Sequence, residues 1–232
     1  INSCGSLIGT ETVGGTTRGC LGGATVGVYG LFYGGWNAGF KNTVTRINTC
    51  GAAVGAETAV GTARQGLTGT KVGSNGLFYG GYDSTCCCYP KVTMTRINCV
   101  GALVGSQTTS ASYRSAYYGG ATVGSNGLFY AGIYSYTSIL NNVVRINACQ
   151  TIVGSVTTVG TARYGLAGAL VGSNGLFYAG YNNTTAKNTV TRINACGAIV
   201  GTETAVGTAR FYIAGAIVGS NGLFYGGTPT TS

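Results

Sequence analysis

One eight-residue phrase governs what this chain can become. Ser-Asn-Gly-Leu-Phe-Tyr-Gly-Gly stands at residues 74–81, returns with small changes at 125–132, 173–180 and 220–227, and returns in looser form at 28–35. Asn-Gly between apolar runs is the strongest short-range hairpin signal, because both central residues of a type I′ turn need φ > 0. Asn75, Asn126, Asn174 and Asn221 are therefore expected at the tips of one repeated hairpin. Leu-Phe-Tyr has strand propensity, and the small pair that follows ends the strand.

Two further landmarks fix the period. Arg18, Arg64, Arg114, Arg163 and Arg210 precede the successive hairpins at spacings of 46, 50, 49 and 47 residues. Ile-Asn at residues 1, 47, 97, 146 and 193 keeps the same spacings. A period in the forties lies in the range of propeller blades. The unit after Arg163 reads as four short strands: Leu166–Gly172, Leu176–Tyr178, Asn188–Asn194 and Ala198–Val206. Four antiparallel strands per unit make a blade. The pattern predicts an all-β, five-bladed propeller forming a single domain over residues 1–232, with 1–15 and 211–232 sharing the last blade. Such closure hides the sheet edges that a linear array exposes. Glycine, 43 of 232 residues against only 2 prolines, reads as tight turns and crowded backbone.

The Arg before strand one, the small-residue strand, the Asn-Gly turn and the Gly-Gly ending strand two resemble the kelch repeat, as in Arg64…Asn75-Gly76…Gly80-Gly81. The resemblance spans essentially the whole chain. The near-identical, Gly-rich and charge-poor repeats are similar to kelch-like propellers of phage tails and other virion appendages. What that resemblance implies is a non-enzymatic binding or structural module.

Side-chain chemistry points the same way. Histidine is absent, which removes Ser-His-Asp and Cys-His nucleophiles and His-based metal centres. Glu11, Glu57 and Glu203 hold equivalent places in different repeats, and Asp83 stands by itself, so no acid–base pair is expected. We therefore expect no enzyme, no cofactor and no metal. Nine cysteines include Cys4, Cys50, Cys149 and Cys196 at one repeat position, Cys99 one residue early, and a run at Cys86, Cys87 and Cys88. The repeated ones read as small buried apolar residues. The net charge of +9 comes mostly from nine arginines at two fixed repeat positions, which reads as framework rather than nucleic-acid binding. Arg46, Arg96, Arg145 and Arg192 on strand three are expected to face the strand-four Glu; the five before strand one are expected to bond carbonyls at blade junctions. No unbroken apolar run is long enough for a membrane span. The chain opens in mid-pattern with Met94 its only methionine, so it is expected to be processed or part of something longer.

Differences between otherwise similar repeats are the functional signal. One variable zone follows each Arg and the other joins strands two and three. Together they hold the candidate ligand-binding residues Trp36, Phe40, Tyr82, Tyr89, Tyr117, Tyr134, Tyr136, Tyr164, Tyr181, Phe211 and Tyr212. Aromatic faces among Asn, Ser and Thr suit sugar rings or a protein surface. The expected function is a virion protein that presents aromatic loops for adhesion. Its expected partners are other virion or surface proteins and host-cell glycans or a receptor protein, and its expected place is the virion or an extracellular surface. The alternatives are a soluble multivalent lectin and an intracellular, cytoplasmic interaction scaffold.

Overall fold

The computed structural model describes residues 14–85, 89–109, 115–135 and 137–229. Arg114, Tyr136, Cys4, Glu11 and the Cys86–Cys88 run lie outside these residues. Every regular element described is a strand. The first repeat forms a sheet of β1 (Gly22–Val26), β2 (Tyr29–Tyr33), β3 (Thr43–Ile47) and β4 (Thr58–Ala59) in that order. The second is β5 (Thr68–Val72), β6 (Asn75–Tyr79), β7 (Thr93–Ile97) and β8 (Thr108–Thr109). In the third, β9 (Gly119–Val123) and β10 (Asn126–Tyr130) are followed by a small hairpin, β11 (Ile133–Ser135) with β12 (Ser138–Ile139). The main sheet then continues with β13 (Asn142–Ile146) and β14 (Thr157–Thr158). The fourth holds β15 (Ala167–Val171), β16 (Asn174–Tyr178), β17 (Lys187–Ile193) and the long β18 (Thr204–Val218), to which β19 (Asn221–Thr228) is added. All pairings are antiparallel, and the sheets are arranged as a propeller.

Four main sheets are seen where five blades were expected. The fifth repeat contributes the second half of β18, paired with β19 from Phe211↔Thr228 to Val218↔Asn221. No turn separates it from the fourth repeat, so the two share one strand and one sheet. The outer strands expected for the last blade fall largely on residues 1–13, outside the described residues.

The repeated hairpin turns one step earlier than the Asn-Gly signal suggests. Val72 pairs with Asn75, so Gly73-Ser74 is the two-residue loop and Asn75 begins β6. Asn126, Asn174 and Asn221 likewise begin β10, β16 and β19. Gly73 has φ +60° while Ser74 has no positive φ, the φ pattern of a type II′ turn with Gly first. Gly76 is needed elsewhere. A Cβ there would stand 2.9 Å from the Phe78 ring and 3.2 Å from Ala24 of the preceding repeat.

The first strands of successive repeats abut around a common axis, β1 on β5, β5 on β9, β9 on β15 and β15 on β18. Behind them runs an aromatic ladder. Tyr33–Phe78, Tyr79–Phe129, Tyr130–Phe177 and Tyr178–Phe224 each bring ring centroids to 5.3 Å across a junction. Edge-on pairs of this kind add about 0.5–1.5 kcal/mol beyond their burial. Three of the hydroxyls are satisfied in the same way: Tyr33 donates toward Val60 O and Thr62 O, Tyr130 toward Val159 O and Thr161 O, and Tyr178 toward Val206 O and Thr208 O.

Arginines before strand one lock the junctions. Arg64 and Arg163 are fully buried. Arg64 donates to Gly80 O (2.5 Å), Thr93 O (2.9 Å) and Thr95 Oγ1 (2.6 Å) while lying 5.8 Å over the Tyr33 ring. Arg163 donates to Thr189 O, Phe177 O and Thr191 Oγ1 and lies 5.7 Å over Tyr130. Arg18 reaches Thr43, Thr45 and Phe32 O, and Arg210 reaches Gly226 O. The strand-four carboxylates serve these same arginines, not the strand-three set: Glu57 is 3.7 Å from Arg18 and Glu203 is 3.9 Å from Arg163. Each also ties two repeats together, since Glu57 accepts from Thr16 and Glu203 from Thr161. Gln107 does the same for Thr62. The strand-three residues Arg96 and Arg145 reach outward to Ala148 O and Ala195 O of the following repeats.

The repeated cysteines are also placed differently from expectation. Cys50, Cys99, Cys149 and Cys196 are exposed free thiols. Each lies in a tight turn closed by the preceding Asn. Asn48 Oδ1, for example, accepts from Cys50 N and Ala52 N, so the side chain sits at the tip of an outward loop.

Candidate recognition face

Just after each framework Arg the backbone takes one left-handed residue. These are Cys20, Gly66, Tyr117, Gly165 and Tyr212, with φ of 55°, 65°, 57°, 65° and 56°. They bond to one another in order. Gly66 N donates to Cys20 O (2.7 Å), Tyr117 N to Gly66 O (2.7 Å), Gly165 N to Tyr117 O (3.0 Å) and Tyr212 N to Gly165 O (2.6 Å). An arc of main-chain hydrogen bonds thus passes through all five repeats at one end of the axis. A side chain in this conformation costs about 1–2 kcal/mol that glycine avoids. Cys20, Tyr117 and Tyr212 bear that strain, while repeats two and four have glycine at the same place.

The residue before each left-handed position pairs with the residue after the small pair that ends strand two. The bridges are Gly19↔Trp36, Gln65↔Tyr82, Ala116↔Ile133 and Tyr164↔Tyr181, with Phe211↔Thr228 in the fifth repeat. Backbone pairing therefore brings the two variable zones side by side on one face.

The aromatic rings then meet across repeats. Tyr117, Tyr164 and Tyr212 form a triangle with centroid separations of 6.5, 5.3 and 6.2 Å. Tyr82 joins it through Tyr117 at 6.2 Å, and Tyr181 through Tyr164 at 5.8 Å. Phe211 lies 5.0 Å from Tyr181 and 4.9 Å from Tyr212. Tyr82 is buried with Ala116 and Ile133, and Phe40 packs on that group and carries Trp36 at 5.0 Å. Eight of the sequence-proposed residues are thus one connected set: Trp36, Phe40, Tyr82, Tyr117, Tyr164, Tyr181, Phe211 and Tyr212. Tyr89 and Tyr134 pair with each other at 5.8 Å, both exposed, and have no described ring contact to that set. Tyr136 lies outside the described residues.

Two members fall within the variable zone after the Arg but outside the eleven candidate ligand-binding residues. Cys20 shares the left-handed position with Tyr117 and Tyr212, and counting two residues from Arg18 and Arg210 would have aligned it with Tyr212. Tyr118 is buried and stacked on Tyr79 (5.3 Å, 29° between planes), just below the mouth; it stands where other repeats place Leu67, Leu166 and Ile213.

The mouth opens into an axial cavity of about 280 Å³. It is lined by the beginnings of all five first strands, among them Cys20, Leu21, Leu67, Tyr117, Leu166 and Tyr212. No charged side chain lines it among the described residues. Burial, reinforced by Cys20 and Tyr212, pushes the Tyr117 phenol well above its ordinary range. Burial and the nearby Tyr164 and Cys20 raise Tyr212 to about 12, and burial with Tyr181 raises Tyr164. At neutral pH these hydroxyls are therefore uncharged, each able to donate and accept.

Antiparallel sheets set around a common axis define a β-propeller. No family model matches the chain, and no curated protein matches it in sequence. The chain is similar in structure to the solved structure of YjhT, with a TM-score of 0.74 and 11% identity over 91% of this chain and 78% of that one. At this identity the likeness concerns the fold. A β-propeller fits a binding or structural module.

Proposed function

We propose that this protein is a non-enzymatic recognition module, displayed on a virion appendage or another extracellular surface, that presents its aromatic face to a host glycan. The observation that carries the reading is the connected set of eight aromatic side chains at one end of the axis. They come from the stretches where the repeats differ, and three left-handed side chains there are retained at a cost in stability. Aromatic faces with neutral hydroxyls stack on sugar rings and bond their hydroxyl groups, and display in many copies raises weak affinity to useful avidity. The lack of histidine supports a non-enzymatic role. The kelch-like repeat pattern supports an interaction module built on a propeller.

The test is a glycan-array screen of the folded chain with Tyr164→Ala and Trp36→Ala alongside. Binding that falls by about tenfold or more with Tyr164→Ala, as expected for loss of a ring worth ~1–3 kcal/mol, supports the reading. A folded sample that binds no glycan overturns it and makes the face an assembly contact with other proteins.

A further inference from the structure

We propose that the axial cavity is a single ligand site that takes one neutral, hydroxyl-bearing ring, the terminal sugar of an uncharged glycan, entering beside Cys20. The inference rests on the recognition reading above and narrows it to one site per chain and one class of ligand.

The argument begins with asymmetry. Five equivalent left-handed positions carry Cys, Gly, Tyr, Gly and Tyr. The Tyr117 ring lies against Gly66, where a Cβ would stand 3.0 Å from it, and the Tyr212 ring lies against Gly165, where a Cβ would stand 2.9 Å from it. The glycines of repeats two and four are thus covered by their neighbours' rings. Repeat one offers only a thiol, and Cys20 is exposed. The mouth therefore has one open side. It does not have five equal pockets.

Size and chemistry then narrow the ligand. A cavity of about 280 Å³ holds the equivalent of roughly nine waters at ~30 Å³ each, room for one ring. Its walls are Leu21, Leu67, Leu166 and Ile213, with the Cys20 thiol and the Tyr117 and Tyr212 phenols as polar groups; Thr68 also lines it but donates its hydroxyl to Tyr118 O. A charged ligand would find no counter-charge among the described lining residues, although the chain carries a net +9. The Tyr117 phenol already has the Cys20 thiol as a hydrogen-bond partner, whereas a purely apolar ligand would desolvate the Tyr212 phenol and offer it nothing in return. A neutral sugar meets both requirements, with C–H faces against the rings and hydroxyls to the phenols.

The experiment uses the whole chain and titrates methyl glycosides of glucose, galactose, mannose, fucose and N-acetylglucosamine by calorimetry, with sialylated and sulfated glycans on an array in parallel. The expected result is binding of at least one neutral glycoside with one site per chain. Cys20→Trp, which fills the opening, is expected to weaken it by about tenfold or more, and Cys50→Ala, on an exposed turn outside the cavity lining, to leave it within about twofold. If Cys20→Trp does not fold, alkylation of the unaltered protein serves instead. Saturating neutral glycoside is expected to slow N-ethylmaleimide labelling of Cys20 by about fivefold or more while Cys50, Cys149 and Cys196 label at unchanged rates. About five sites per chain, or unchanged Cys20 labelling beside a bound glycoside, overturns the inference. Binding only of charged glycans also overturns it but leaves the recognition reading standing. No binding of any glycan removes both.

Discussion

Two sets of tyrosines occupy this molecule, and they obey opposite rules. Tyr33, Tyr79, Tyr130 and Tyr178 end the second strands, repeat at successive junctions, and meet the next repeat's Phe at one distance, edge-on in the first three and tilted in the last. Tyr117, Tyr164 and Tyr212 sit at the axial mouth, differ from repeat to repeat, and in two cases hold a strained backbone. The first set is what any repeat needs in order to dock on its neighbour. Of the second, the left-handed pair Tyr117 and Tyr212 is not required of every repeat, since repeats two and four have glycine at that position. Sameness therefore marks the framework, and difference at equivalent positions marks the face that meets something else.

The comparison breaks if the two sets respond alike to substitution. The largest effect is expected within the framework at Arg163, whose guanidinium lies over Tyr130 and holds two backbone carbonyls. Arg163→Leu strips those buried acceptors and should cost about 3–5 kcal/mol, read as a large drop in urea midpoint. Next, Tyr130→Phe removes the hydroxyl that reaches Val159 O and Thr161 O, for about 1–2 kcal/mol. Tyr212→Phe should change stability by less than about 0.5 kcal/mol while glycan affinity falls. Equal losses of stability from the two Phe variants would erase the distinction.

A gain is expected at Cys20. With φ of 55° and an exposed side chain, Cys20→Gly should stabilise the protein by about 0.5–1 kcal/mol, the left-handed strain relieved less the extra freedom glycine loses on folding. A loss in thermal melting would mean that the thiol packs as framework.

The smallest effect concerns acid. Burial raises the Glu203 carboxyl, but hydrogen bonds from Thr161 and Thr191, helped by Arg163, outweigh it and leave it below its ordinary value. A carboxyl lowered in the folded state adds stability above its unfolded value of about 4.3, and that stability fades as pH falls through the folded value. Glu203→Gln should therefore shallow the decline in stability below about pH 4, with little change near neutrality in the slope of stability against pH. An unaltered acid limb would show that Thr161 and Thr191 do not depend on the carboxylate's charge.

Much of the architecture was legible because a repeat is visible without knowing what any residue contacts. The Arg and Ile-Asn landmarks located the repeats, of which four stand as separate sheets, and the hydrophobic pattern located the first three strands of each. The fourth, expected over Ala198–Val206, is a two-residue strand in the first three repeats and in the fourth starts only at Thr204 and runs on to Val218. The turn was misplaced because Asn-Gly and Gly-Ser are both good two-residue loops. The choice between them rests on clearance: Gly76 must admit Phe78 and Ala24, which is a contact between repeats. The cysteines were misread for a related reason. Their small size suits a core, but the Asn before each one curls the chain into an outward turn. At the mouth, the list of aromatics was readable from variation, while their convergence was not. It depends on a left-handed residue after each Arg, and three of the five are not glycine, so composition gave no signal.

The hydrogen-bonded arc through Cys20, Gly66, Tyr117, Gly165 and Tyr212 separates backbone shape from side-chain identity. Neighbouring peptide groups hold each position, so what projects over the axis can change without altering how the repeats are joined. A chain grown by duplication would begin with five identical positions and could acquire a specificity by single substitutions at a mouth whose outline is already set. For an engineer, the same five codons form a compact library, with glycine as the blank and every other residue as a choice about what is allowed in.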